Sequence, residues 1–280
     1  MSANAEETPY NTNNKVLTEE HLRHLLTSYG VTDPPNNVNL YRSAMVHRSY
    51  CTRKNENIAN GNSLCPPGCI PLQEISNERL EYLGDSVLSL VVASHVYERY
   101  TRENEGFLTK VRTKLVNGTM LASLAKELGL GEWVVISKQI DDNHGRSNKN
   151  VLEDCLEAFI GALYLDFNSN DHEDDLSFSV HGKGLQHAYT WITGVIEAHV
   201  DFCELLHDRN YKDMYFKYSQ NNFKHIPVIE EVQHSNTSDS ECTVCIKDSA
   251  GHVVATGTGP NRKQAELDAC KTALMLHGQV

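Results

Sequence analysis

Three carboxylates between Asn77 and Leu90 have the spacing of one helix face. Glu78, Glu81 and Asp85 lie three and four residues apart. At about 100° per residue they fall within roughly 60° of one another on an α-helix. Like charges so placed repel, and a shared divalent cation would offset the repulsion. A solvated acidic helix face explains the same spacing, and these three residues alone do not decide between the two explanations.

A second stretch, NVLEDCLEAFIGALYLD (150–166), favours the metal site. It carries Asp154 and Glu157 at helical spacing. Small residues follow at Ala158, Gly161 and Ala162. Small side chains let two helices approach closely. Two carboxylate-bearing helices in close contact would present several oxygen ligands to a hard cation.

Both stretches are amphipathic. In the first, the apolar residues that recur at three- and four-residue steps are Leu80, Leu83, Val87 and Leu90. This pattern predicts a helix with one apolar face. NERLEYLGDSVL (77–88) closely resembles the signature helix of the ribonuclease III family. LEDCLEAFIGALYLD (152–166) resembles that family's second catalytic helix, and the segment between them, 105–133, is similar to its intervening helices in order and spacing.

The resemblance implies an endoribonuclease that hydrolyses the phosphodiester bonds of double-stranded RNA. Its mechanism would use two metal ions, Mg²⁺ with Mn²⁺ as a substitute, and would leave 5′-phosphate and 3′-hydroxyl ends with short 3′ overhangs. The implied metal ligands are Glu81, Asp85, Asp154 and Glu157. Among these, Asp85 and Glu157 are the expected catalytic residues. Glu78 and Glu105 would support the site or contact RNA.

The resemblance also implies an all-α ribonuclease III catalytic domain, followed by a small α+β (α-β-β-β-α) double-stranded-RNA-binding domain. We expect a disordered N-terminus over 1–14, the catalytic domain over 15–207 and the RNA-binding domain over 208–280. The chain contains one catalytic signature, but a duplex has two strands to cut. The resemblance therefore implies a homodimer, in which each subunit supplies one site.

The end of the chain, TGTGPNRKQAELDACKTAL (256–274), resembles the last part of that RNA-binding domain. Asn261 is a good N-cap for a final helix. Arg262 and Lys263 at its start could bind phosphates, helped by the helix dipole, or could be solvent-exposed cations. Glu266 stands where the family often has a further lysine, which predicts a modest affinity for RNA.

The composition sets outer bounds. Hydrophobic residues make up 40% of the 280 residues and charged residues 22%, as in ordinary soluble globular proteins. The net charge of −12 is unusual for an RNA-binding protein, but 28 of the 37 acidic residues precede residue 208. No apolar run is long enough to predict a membrane span. The eight scattered cysteines and the polar N-terminus predict an intracellular protein, in cytoplasm or nucleus.

Several features stay open. Cys65 and Cys69, in the long connection 51–75, are either a zinc half-site or two free thiols. Residues 167–184 are an acidic insertion predicted to be mobile. Arg146 and Lys149 either touch phosphates or face solvent. The rival functions are a non-catalytic RNA-binding structural protein on the same fold and, for the enzyme, destruction of small duplex RNAs that suppresses silencing rather than precursor processing.

Overall fold

The computed structural model describes residues 9–52, 65–168, 182–206, 211–232 and 242–279. The chain divides into two compact units, Met1–Leu205 and Leu206–Val280. Within the described ranges, no helix is both long and apolar enough to cross a membrane.

The first unit is helical. Its helices are α1 (Glu19–Thr27), α2 (Val38–Ala44), α3 (Glu78–Arg99), α4 (Glu105–Leu115), α5 (Gly118–Glu127), α6 (Lys138–Asp142), α7 (Lys149–Asp166), α8 (Gly184–His199) and α9 (Phe202–Leu206). Side-chain oxygens cap several of them: Asn104 accepts from the backbone N–H of Phe107 at the start of α4, and Asn148 accepts from that of Asn150 at the start of α7. Such caps satisfy backbone donors that a helix start leaves without partners.

Helices α3 and α7 pack against each other through two glycines. A β-carbon on Gly84 of α3 would lie 1.7 Å from the backbone oxygen of Glu157. A β-carbon on Gly161 of α7 would lie 2.2 Å from the backbone oxygen of Leu80. Any larger residue would therefore force the two backbones apart. This close approach places the carboxylates of the two helices side by side.

The start of α3 is fixed by Asn77. Its side chain does not cap α3 but donates to the backbone oxygen of Ala44 at 3.2 Å. Its backbone N–H donates to the oxygen of Val46 at 2.8 Å. Because both bonds are buried at the end of α2, the first turn of α3 has a defined position in the domain.

The second unit contains α10 (Tyr211–Phe223), β1 (Val228–Glu231), β2 (Cys242–Lys247), β3 (Val253–Gly259) and α11 (Arg262–Leu276). The strands form an antiparallel sheet in the order β1-β2-β3. Ala265, Ala269 and Ala273, which lie on one face of α11, are fully buried in the core of this unit. The predicted fold class, an all-α domain followed by an α-β-β-β-α module, is confirmed.

Two expectations were wrong in part. The last part of the N-terminal segment 1–14, which was expected to be disordered, is ordered. Asn11 and Asn14 are buried, and their side chains donate to the backbone oxygen of Ile136 at 3.2 and 3.0 Å. Leu90 does not share the buried face of α3 but is 54% exposed. The buried face runs instead through Gly84, Val87, Leu88, Val91, Val92 and Val96. Most of the N-terminal lead-in (1–8), part of the connection (53–64) and most of the acidic insertion (169–181) lie outside the described residues.

Candidate active site

The predicted ligands of α3 and α7 converge on one site. We call Glu81, Asp85, Asp154 and Glu157 the carboxylate cluster. Glu157 is buried, with 9% of its surface exposed, whereas Asp85 is exposed and Glu81 and Asp154 are half-buried. The cluster therefore runs from the helix interface, at Glu157, out to solvent, at Asp85.

Glu157 has the most perturbed carboxyl group of the cluster. Burial, followed by the charges of Asp85, Glu153, Glu81 and Asp154, raises the pKa of Glu157 to about 8. Desolvation and like charges both favour the neutral carboxylic acid. A carboxylate buried among other carboxylates is costly unless a cation is bound, which is the arrangement that a metal site provides.

Two other members of the cluster shift in the same direction. Burial and then the charge of Asp154 raise the pKa of Glu81 above its ordinary value. Burial and then the charge of Glu153 raise that of Asp154. Arg48 opposes both shifts, so it is a cation near the cluster.

Arg48 is a residue that the sequence reasoning missed. Its Nη1 lies 3.7 Å from Oε1 of Glu78, and its side chain is 74% exposed. It begins a short 3₁₀ turn, Arg48–Tyr50, which His47 caps by accepting from the backbone N–H of Ser49. The backbone N–H of His47 donates to the oxygen of Val135 at 3.0 Å, so this turn has a fixed place beside the cluster.

Glu153 is a second missed residue. Its charge helps to raise the pKa of three members of the cluster: Glu81, Asp154 and Glu157. Sequence spacing does not reveal this, because Glu153 directly precedes Asp154 and adjacent residues of a helix point in directions about 100° apart. A β-carbon on Gly118, the first residue of α5, would lie 2.1 Å from Oε2 of Glu153. The carboxylate therefore occupies the space that Gly118 leaves open at the N-terminus of α5, where the helix dipole favours a negative charge.

The two acidic residues that were expected to support the site differ in their relation to the cluster. Glu78 is exposed; it accepts from the hydroxyl of Ser76 at 2.8 Å, pairs with Arg48 and acts electrostatically on Glu81 and Asp154. Glu105, the first residue of α4, is also exposed and accepts from the hydroxyl of Thr109 at 3.0 Å.

Comparison with known proteins identifies the family. A family model described as "Ribonuclease-III-like" matches residues 37–174, and one described as "Double-stranded RNA binding motif" matches residues 212–276. Ribonuclease 3 of Chlorobium chlorochromatii is 32% identical over 257 residues, which is 91% of this chain and 90% of that relative. The chain belongs to the ribonuclease III family. It is a ribonuclease III-type endoribonuclease with a double-stranded-RNA-binding module.

Two further similarities extend the comparison. "Probable ribonuclease 3" of Acanthamoeba polyphaga mimivirus is 30% identical over 266 residues, 94% of this chain and 46% of the relative. This chain thus spans about half the length of that viral protein. The solved nuclease domain of ribonuclease III from Campylobacter jejuni is 29% identical, with 65% of this chain and 97% of that chain covered and a TM-score of 0.47.

Ribonuclease III enzymes are metal-dependent, and the donor set here fits a hard divalent cation. Carboxylate oxygens are the ligands that Mg²⁺ and Mn²⁺ prefer. As the side chains stand, no group of three or more His, Cys, Asp or Glu within the described residues is assembled tightly enough to hold a metal ion. Ligation would therefore require side-chain rotations that draw the carboxylates together against their mutual repulsion.

The double-stranded-RNA-binding module at the C-terminus presents its predicted RNA-binding residues at the start of one helix. Asn261 caps α11 as predicted, since its side-chain oxygen accepts from the backbone N–H of Gln264 at 3.0 Å. Arg262 and Lys263 follow it and are exposed. Arg262 is already engaged, because its Nε donates to Glu266 at 3.0 Å.

The loop cation Arg146 is engaged inside the first unit. It is half-buried and donates to Asp141 at 2.9 Å, to the backbone oxygen of Val134 at 2.7 Å and to Asn14 at 2.8 Å. These bonds tie the α6–α7 connection to the N-terminal segment. Lys149, by contrast, is exposed at the first position of α7.

Cys65 and Cys69 form no disulfide bond, and the Cys65 Sγ donates to the backbone oxygen of Cys69 at 3.3 Å.

Proposed function

We propose that this enzyme hydrolyses double-stranded RNA with divalent metal ions held by the carboxylate cluster. One observation carries the proposal: Glu157 is buried where α3 and α7 touch, and this burial, together with the charges of four other acidic side chains, raises its pKa to about 8. A carboxylate that is buried next to other carboxylates destabilises the folded protein unless a cation binds to it, so its presence supports a cation-binding site. Mg²⁺ is the expected ion, and Mn²⁺ should replace it.

The chain's own residues have separate tasks. Glu157 and Asp85 would hold the ions nearest the reacting phosphate, and Glu81 and Asp154 would complete the ligand set. When bound, two such ions supply an activated water, stabilise charge on the phosphate and support the leaving 3′ oxygen. The products would carry 5′-phosphates and 3′-hydroxyls. Glu78 would position Arg48, and Glu105, which is exposed at the start of α4, would contact RNA or a partner subunit.

A homodimer is part of the proposal. Three apolar side chains of α3 stand out from the first unit: Tyr82, Leu90 and Tyr97 are 79%, 54% and 71% exposed. At about 100° per residue they lie within roughly 80° of each other, which makes one stripe. A second copy of this stripe is the partner we propose, because two sites related by a two-fold axis would cut both strands and leave a short 3′ overhang.

The C-terminal module would hold the duplex through its backbone. Lys263, Arg262 and the capped N-terminus of α11 offer positive charge and backbone N–H donors to phosphates. Such contacts carry no sequence information, so binding should depend on duplex shape and salt. We also propose that the protein is intracellular. Its biological role would be either the processing of RNA precursors or the destruction of small duplex RNAs.

A cleavage assay with matched substrates tests the proposal. The purified chain is incubated with a long duplex, a short duplex of about 20 base pairs and the corresponding single strands, in Mg²⁺ and then in EDTA. Cleavage of duplexes only, with 5′-phosphate ends and full loss in EDTA, supports the function. Cleavage of single strands at the same rate, or cleavage that survives EDTA, contradicts it. A strong preference for the short duplex would favour silencing suppression over processing.

A further inference from the structure

Glu266 of α11 binds two cations that lie at the proposed RNA-binding end. Its Oε1 accepts from Nε of Arg262 at 3.0 Å, and its Oε2 accepts from Nζ of Lys212 at 2.6 Å. Its side chain is only 13% exposed. Both carboxylate oxygens are therefore occupied by positive groups of the same module.

Arg262 also faces a second carboxylate. Its Nη1 lies 4.0 Å from Oε2 of Glu231, the last residue of β1. Lys263, the next residue, makes no ion pair within the described part of the chain. The group formed by Arg262, Lys212, Glu266 and Glu231 is neutral overall, which leaves Lys263 as the uncompensated cation at the start of α11.

The ion pairs persist at neutral pH and yet are open to competition. The hydrogen bond from Lys212 holds the pKa of Glu266 below its usual range, so this carboxylate stays ionised. Arg262 is 59% exposed and Lys212 is 41% exposed. Ion pairs of such exposed cations are weak, so an RNA phosphate must compete with Glu266 for each cation.

We infer that Glu266 is a charge clamp that sets the affinity of this module for duplex RNA. By holding Arg262 and Lys212 in internal ion pairs, it withholds positive charge from the phosphate backbone. The inference rests on the proposed RNA-binding role of the α11 N-terminus. It makes Glu266 an affinity-determining residue, although Glu266 itself would touch no RNA.

The test is the substitution Glu266→Gln, which keeps the side-chain shape and removes the negative charge. Binding of the full chain to a fluorescent duplex is measured in EDTA, which prevents cleavage, over about 50 to 300 mM KCl. Release of the two cations should tighten binding by about three- to tenfold at the lower salt concentrations. The plot of log K against log salt should steepen by roughly two, because each of the two released cations gains a phosphate contact and each contact releases about one counterion.

Glu230→Gln is the matched control. Glu230 forms an exposed ion pair with Lys247 in the same module, so the control removes the same charge without freeing Arg262 or Lys212. Glu231→Gln is a milder second variant that loosens only the more distant partner of Arg262. It should tighten binding less than Glu266→Gln does, and it keeps the inference testable if Glu266→Gln does not fold.

Comparison with the double variant Arg262→Ala, Lys263→Ala separates the two claims. If this double variant weakens binding but Glu266→Gln does no more than Glu230→Gln, the clamp is refuted and the RNA-binding role of α11 stands. If the double variant changes neither affinity nor salt slope, RNA is held elsewhere and the clamp is overturned together with the interface.

Discussion

Replacing Gly84 by Ala should push the two catalytic helices apart. The new β-carbon would lie 1.7 Å from the backbone oxygen of Glu157 and 2.8 Å from the backbone nitrogen of Gly161. Tolerable contacts of a β-carbon begin at about 3.0 Å and comfortable ones at about 3.5 Å, so relief needs a displacement of roughly 1.3 to 1.8 Å. Both atoms that clash belong to the backbone, so no side-chain rotation relieves the contact.

The displacement has a cost in stability and a larger one in activity. Overpacking typically costs about 1–3 kcal/mol, partly offset by about 1 kcal/mol of better helix propensity. A misplacement of about 1 Å in a catalytic site can lower the rate by about 10²-fold. We therefore expect Gly84→Ala to lose at least that factor in kcat while the C-terminal module still binds duplex RNA.

The assay pairs single-turnover cleavage in saturating Mg²⁺ with duplex binding in EDTA and a melting curve. Gly106→Ala in α4 is the matched control, because its nearest neighbour, Oδ1 of Asn104, would be 3.3 Å away and belongs to a side chain. Wild-type kcat and Tm in Gly84→Ala would show that the close approach of α3 and α7 does not position the carboxylates.

Two further predictions concern pH and assembly. Because the pKa of Glu157 is raised to about 8, the folded metal-free protein keeps a proton that the unfolded chain releases from its ordinary pKa of 4.5 upward. Stability in EDTA should thus fall as the pH rises from about 4.5 to 8. Glu157→Gln should reduce this slope, and the raised pKa values of Glu81 and Asp154 should account for the remainder. Equal slopes of Tm against pH in the two proteins would contradict the assignment. Mixing wild-type protein with excess Glu157→Gln should form heterodimers whose main product is nicked duplex. A monomer at micromolar concentration in sedimentation, still making double-strand cuts in one encounter, would rule out the dimer.

The residues of the carboxylate cluster could be predicted because each pair of them lies within a few residues on a single helix. Spacing places Glu78, Glu81 and Asp85 on one helix face and Asp154 with Glu157 on another. The resemblance to the family selects the four ligands among these five residues. What spacing could not show is which ligand is buried. Glu157 is buried because its own backbone oxygen contacts Gly84, a contact between residues 73 positions apart.

The missed residues depend on such distant contacts. Glu153 lies beside the cluster because Gly118, in another helix, leaves space for its carboxylate. Arg48 comes near through a turn that is bonded to Val135. Leu90 was placed by its spacing on the same apolar face as Val87. It is exposed because α3 has apolar residues on more than one face, and periodicity does not tell a buried face from an exposed one.

At the start of α11, too, one contact could be predicted from the sequence and another could not. The spacing of Arg262 and Glu266 is that of a helical ion pair and was readable from the sequence. The participation of Lys212 was not, since only the folded module brings α10 against α11.

The central claim is that the carboxylate cluster carries metal-dependent cleavage, and Glu157→Gln tests it most directly. The amide keeps the volume of the side chain but removes the negative charge that a divalent ion requires. Single-turnover cleavage of an end-labelled duplex in saturating Mg²⁺ is compared with binding of the same duplex. The account predicts cleavage at the background rate with an affinity within a few-fold of wild type. Cleavage at the wild-type rate would contradict it.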